Sequence, residues 1–179
     1  MNRYLTAFGA SRVAPIDPLY TDVRLLSAKI GAAGWSGITG GHQGMMAAFA
    51  EGIADGGGKV RGITLERFPT PPGNALTEEI RAADFFARMQ MLIEQADAYI
   101  VLPGGLGTLA ELAMSWDLLA IRVLEPRPLI LYGAMWGEVL DSLRTNLLMS
   151  VEHGFSILHH CTTHDEVLAT LADCTHGAL

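Results

Sequence analysis

Two side chains are placed to do chemistry: Glu111, which closes "PGGLGTLAE" (103–111), and Arg88, within "FFARMQM" (85–91). A carboxylate beside a glycine-rich turn can stabilise positive charge forming on a substrate, or activate a water. An arginine at the same rim can clamp a phosphate or a ribose. Each also has a plain structural reading. Thr108-Leu109-Ala110-Glu111 matches a capping box, with Thr108 at the N-cap and Glu111 three residues on, and Arg88 has the form of a solvated arginine on a largely apolar helix. Three glycine-containing segments surround the pair: "GASR" (9–12), "GGHQG" (40–44) and "PGGLGT" (103–108). Gly40, Gly41, Gly44, Gly104, Gly105 and Gly107 let the backbone approach a ligand closely, and N–H groups at a following helix start favour an anion. His42, inside the second segment, is a candidate ligand contact.

Other chemistries find less support. His159, His160, Cys161 and His164 cluster in sequence, but neighbouring residues of a strand point to opposite faces. A metal site is therefore disfavoured, and Thr162 or Thr163 reads as the cap of a closing helix. No Ser/His/Asp arrangement stands out. The two lysines, Lys29 and Lys59, lie away from any strand's carboxyl end, which disfavours a pyridoxal Schiff base. No metal and no cofactor are expected.

The elements that must position these residues alternate. Strands are expected at 3–9, 35–39, 59–66, 99–103, 127–133 and 157–162, with helical patterns between them, including one helix spanning 78–96. Segment 67–77, "RFPTPPGNALT", is a long proline-rich loop. Strict β–α alternation predicts one Rossmann-like α/β domain over residues 1–179, a three-layer αβα sandwich on a parallel sheet of about six strands in the order 3-2-1-4-5-6. Ligand then sits at the carboxyl ends of strands one and four, where the order reverses. The loops there lack G-x-G-x-x-G, an acidic residue ending strand two, and a Gly-Lys-Ser/Thr ending, so a mononucleotide or sugar phosphate fits better than NAD or ATP.

Composition narrows the partners. The 179 residues carry a formal charge of −7 with 12 Lys+Arg, a poor match for nucleic acid. Half the residues are hydrophobic, yet no run is long enough to span a bilayer. Cys161 and Cys174 mark no disulfide framework, and a soluble, cytoplasmic chain with reduced thiols is expected.

"LPGGLGTLAE" (102–111) resembles the P-G-G-x-G-T-x-x-E signature of the Lonely Guy family, phosphoribohydrolases that release cytokinin base from its riboside 5′-monophosphate. "FGASRV" (8–13), "TGGHQGMM" (39–46) and "FFARMQM" extend the likeness over roughly residues 5–155. The resemblance implies a nucleoside 5′-monophosphate substrate such as AMP or a cytokinin riboside monophosphate. It also implies N-glycosidic cleavage to free base and ribose 5-phosphate, and a homodimer with its sites near the interface. By motif match Arg88 and Glu111 take the catalytic places and Gly104, Gly105, Gly107 and Thr108 the phosphate-binding turn, and Gly40, Gly41, His42, Gly44 and Met89 are expected to join the substrate-binding set. Three positions depart from the pattern: Met89 stands where the family has lysine, His42 where it has a third glycine, and Ala47 where many relatives carry glutamate. A carrier on the same fold, as among molybdenum-cofactor carriers, is the alternative reading.

Overall fold

The computed structural model describes residues 3–67, 74–148 and 151–176. Alternation along the strands sorts the core into two layers. In β1 (Arg3–Phe8), Leu5 and Ala7 face one side of the sheet and Phe8 the other. In β5 (Ala98–Val101), Ala98 and Ile100 join the first side, Tyr99 and Val101 the second. β6 (Leu129–Tyr132) repeats the pattern. Strands with both faces buried must be covered twice. The first side is closed by α1 (Pro18–Ala32), α2 (Met45–Asp55) and α7 (His164–His176), through Leu26, Phe49 and Val167 among others. The second is closed by α3 (Phe85–Glu94), α4 (Leu106–Ala120) and α5 (Met135–Asn146), through Leu92, Leu112 and Trp136.

The remaining elements are β2 (Trp35–Thr39), β3 (Val60–Thr64), β4 (Glu78–Arg81), the short α6 (Val151–Phe155) and β7 (Leu158–Cys161). All strand pairs are parallel, and the order is β4-β3-β2-β1-β5-β6-β7. The fold is the expected Rossmann-like α/β sandwich, with one correction. The sheet has seven strands rather than six, because the expected helix 78–96 is a strand followed by a shorter helix. Glu78–Arg81 pairs with Arg61–Thr64 of β3. Asp84 then caps α3 by accepting from the Ala87 amide at 2.8 Å. The reversal of strand order falls between β1 and β5, as anticipated.

Of the loop 67–77, residues 68–73 lie outside the described residues, as does the Cys174 side chain. Cys161 is a buried free thiol. Among the described residues, no helix is long and apolar enough to cross a membrane.

Candidate functional site

Three loops meet at the carboxyl end of β1, and the peptide groups of Ala10 join them. Its N–H donates to the Pro103 carbonyl at 3.1 Å, and its own carbonyl accepts from the Met45 N–H at 2.8 Å. The β1 loop thereby fixes the turn after β5 and the start of α2 at once. Gly44, the N-cap of α2, has φ 69°, and a Cβ there would overlap the Ala10 carbonyl oxygen. Only glycine closes this junction without strain.

α2 and α4 both begin without a side-chain cap, at Gly44 and Gly105. The first N–H groups of α4, those that follow Met45 in α2, and both positive dipole ends therefore point to the rim from opposite faces of the sheet. The anticipated capping box is not formed. α4 starts at Leu106, which places Thr108 inside the first turn, 4% exposed and packed under Gly104, and Glu111 nearly two turns in. A Cβ at Gly105 or Gly107 would meet nothing within 4 Å, so the protein's own packing does not demand glycine there.

Arg88 and Glu111 come together beside this rim. α3 holds Arg88 in place: the Thr6 hydroxyl donates to the Leu92 carbonyl at 2.8 Å, and the Tyr99 hydroxyl to the Ile93 carbonyl at 2.7 Å, tying the end of the helix to β1 and β5. The Arg88 guanidinium reaches across the strand ends. Nε donates to the Ile63 carbonyl at 2.9 Å and Nη2 to the Gly40 carbonyl at 3.4 Å. A Cβ on Gly40 would overlap Nη2, so this glycine makes the space that the arginine fills. Arg88 is thus not the solvated arginine of the plain reading. Burial lowers its pKa from the ordinary arginine value, and the Glu111 charge works the other way. Burial pushes the Glu111 carboxyl from its ordinary 4.5 up to about 7, with Arg88 pulling it back. A carboxyl poised near neutrality, next to a cation and beside two helix starts, suits proton transfer or charge stabilisation.

The other expected residues divide. Gly40, Gly41, Gly44 and His42 lie in the β2 loop, where the Gly41 N–H donates to Thr39 Oγ1 at 2.9 Å. Met89 does not line the rim: it is 2% exposed and belongs to the core with Ile38, Ile63 and Leu92. Its position on α3 follows from helical spacing, one residue past Arg88 and on the buried side. The C-terminal histidines go to separate partners, His160 to the Gly133 carbonyl and His164 to Asp22. Sequence reasoning missed Asn74, whose Nδ2 donates to the Gly41 and His42 carbonyls at 3.2 and 3.4 Å. Only an asparagine inside a turn-rich loop was visible in the sequence. It also missed a cleft of about 680 Å³ along the ends of β3 and β4, lined by Leu65, Arg67, Arg81 and Asp84 among others.

Residues 46–171 match the family described as "Possible lysine decarboxylase". A cytokinin riboside 5′-monophosphate phosphoribohydrolase of Mycobacterium tuberculosis is 33% identical over 145 residues, covering 77% of this chain and 76% of that protein. The chain belongs to this family. The Lonely Guy likeness of its signature therefore extends to most of the sequence, and the matched segment takes in both Arg88 and Glu111. An Arabidopsis thaliana member with the same enzyme name is 32% identical over 120 residues, 65% of this chain and 54% of its own length. The chain spans about half the length of such plant relatives. The fold is shared more widely: the molybdenum cofactor carrier protein of Chlamydomonas reinhardtii superposes with a TM-score of 0.75 at 18% identity, over 99% of this chain and all of that one.

Proposed function

We propose that the chain is a nucleoside 5′-monophosphate phosphoribohydrolase acting on AMP or a cytokinin riboside monophosphate. The observation that carries this is the Arg88–Glu111 pair, half-buried beside two uncapped helix starts. The 5′-phosphate takes the N–H groups of Gly104–Thr108 and those that follow Met45 in the first turn of α2, where a dianion is stabilised without a lysine. The ribose then lies against Glu111. Breaking the bond between C1′ and the base nitrogen builds oxocarbenium character on the sugar, which a carboxylate stabilises. Glu111 accepts a proton from water as the water oxygen bonds to C1′; the bonding pair leaves with the base nitrogen, which takes up a proton from the medium. Arg88, held by two carbonyls, keeps its remaining N–H groups for the nucleotide and sets the charge of Glu111. The products are free base and ribose 5-phosphate.

The test is a panel of nucleoside 5′-monophosphates assayed for both products. Turnover by the wild type, reduced about 10²–10⁴-fold in Glu111→Gln and in Arg88→Ala, is the expected result. Glutamine keeps the shape of the side chain and removes the ionisable group. Tight nucleotide binding with no cleavage across the panel would instead favour a carrier, the reading that the full-length likeness to the molybdenum cofactor carrier supports. A homodimer accompanies the hydrolase reading. Phe86 is 77% exposed on α3 and Leu106 84% exposed on α4, on the face of the sheet that carries Arg88 and Glu111. A second copy of the chain covers these side chains.

A further inference from the structure

Two buried polar atoms beside the proposed site have no hydrogen-bond partner among the described residues: His42 Nδ1 and Asn74 Oδ1. They belong to one junction. Asn74 precedes β4 and lays its amide against the β2 loop, where Nδ2 donates to the Gly41 and His42 carbonyls. Two carbonyl acceptors on the same end of the amide fix its orientation, because only the NH2 end can donate. Oδ1 is left as a pure acceptor. His42 is the residue whose carbonyl Asn74 grips, and the Gly40 carbonyl, two residues back, holds Arg88. The junction is therefore continuous with the catalytic pair.

Buried polar atoms are paired in the great majority of cases, and leaving one unpaired costs roughly 1–3 kcal/mol. Two such atoms at one junction, on the loop whose Gly40 carbonyl holds Arg88, call for an external partner. Trp136 Nε1, also unpaired, belongs to the apolar core beneath α5 and shares no junction with them.

We infer that His42 and Asn74 form a specificity-determining contact for the nucleotide: Asn74 Oδ1 accepts from a donor group of the substrate, and His42 Nδ1 pairs with a polar atom adjacent to it. The inference rests on the nucleotide reading above and deepens it. The required chemistry is an N–H or O–H group, which a nucleoside monophosphate offers from two sources, an exocyclic amine of the base or a hydroxyl of the sugar. Exchanging the amine for a carbonyl sets two acceptors face to face. Deleting the hydroxyl leaves Oδ1 unpaired.

The experiment compares kcat/KM for AMP, IMP and 2′-deoxy-AMP in the wild type, His42→Phe and Asn74→Ala, with thermal melts of each protein. IMP lacks the amine and 2′-deoxy-AMP lacks the hydroxyl. His42→Phe keeps an aromatic ring and the backbone carbonyl that Asn74 grips, so it stands as a test even where Asn74→Ala loosens the loop. The expected result is a wild type that disfavours one analogue by about tenfold or more, with that preference shrinking to about threefold or less in either variant. The analogue rejected identifies the source of the donor. A wild type that treats all three alike overturns the inference, as does a preference that both variants retain. AMP cleavage with an untouched preference removes this inference alone; absence of both binding and cleavage for every nucleotide removes the hydrolase reading with it.

Discussion

At the start of α7, Thr163 and Glu166 exchange hydrogen bonds: the Glu166 amide donates to Thr163 Oγ1 at 3.3 Å, and Glu166 Oε2 accepts from the Thr163 amide at 3.0 Å. This is a working capping box, and the backbone bonds it accepts hold the Glu166 carboxyl below its ordinary range. Thr108 and Glu111 have the same spacing and do none of this. Spacing was legible in the sequence. Where the helix begins was not, because Gly105 caps α4 and lets it start two residues before Thr108. The two glutamates consequently differ in what they do for the molecule. In the nucleotide assay Glu166→Gln should leave turnover unchanged, whereas Glu111→Gln should lower it by about 10²–10⁴-fold. The difference extends to pH. Burial raises Glu111 from 4.5 to about 7, so between these values the folded chain holds a proton that the unfolded chain releases. Stability from this site is thus full below about pH 4.5 and is lost as pH rises through about 7, by on the order of 1–3 kcal/mol. Denaturant titrations from pH 5 to 8 should show that slope in the wild type and a flatter one in Glu111→Gln. In the proposed hydrolase, turnover should move oppositely, with kcat rising with pH through about 7 as the carboxylate forms.

α3 is the element on which the site depends most. It was read as one long helix because Glu78, Glu79 and Arg81 have helical preferences and the segment lacks the apolar alternation of the inner strands. An edge strand needs little of that alternation, since most of β4 is exposed. Asp84 was the signal for the true helix start, a capping residue followed by an apolar run. Placement of Arg88 then follows from three contacts that sequence could not supply: Thr6 and Tyr99 on the helix end, and open space at Gly40. The last gives a direct prediction. Gly40→Ala keeps an ordinary backbone conformation but occupies the Nη2 position, so it should lower kcat at least about tenfold while Arg88 is still present. A Gly40→Ala enzyme with wild-type kcat would show that Arg88 acts from elsewhere.

On the scale of the whole molecule, β–α alternation and the rule for right-handed crossovers were enough to place the crevice at β1 and β5, because both come from the chain's period rather than from any single residue. The additional edge strand left that crevice where it was expected. The outer surface is a separate matter: hydrophobic pattern identifies a helix's buried stripe, and Phe86 and Leu106 lie off it, exposed on the isolated chain. Light scattering of the 19.2 kDa chain should give twice that mass. Phe86→Glu should return it to a monomer by placing charge in an apolar interface. A monomeric wild type would leave these side chains to another partner.

The Ala10 junction has a consequence for motion. Loops on enzyme rims ordinarily exchange their amide hydrogens readily, since few of their bonds are buried. Here the Ala10 and Met45 amides are committed to carbonyls that cross between loops, and the Gly44 backbone leaves no slack beside them. These two amides should exchange with solvent as slowly as those of β1 itself, through global unfolding rather than local opening. The rim would then be as rigid before any ligand arrives as after, and binding would give up little freedom in the process.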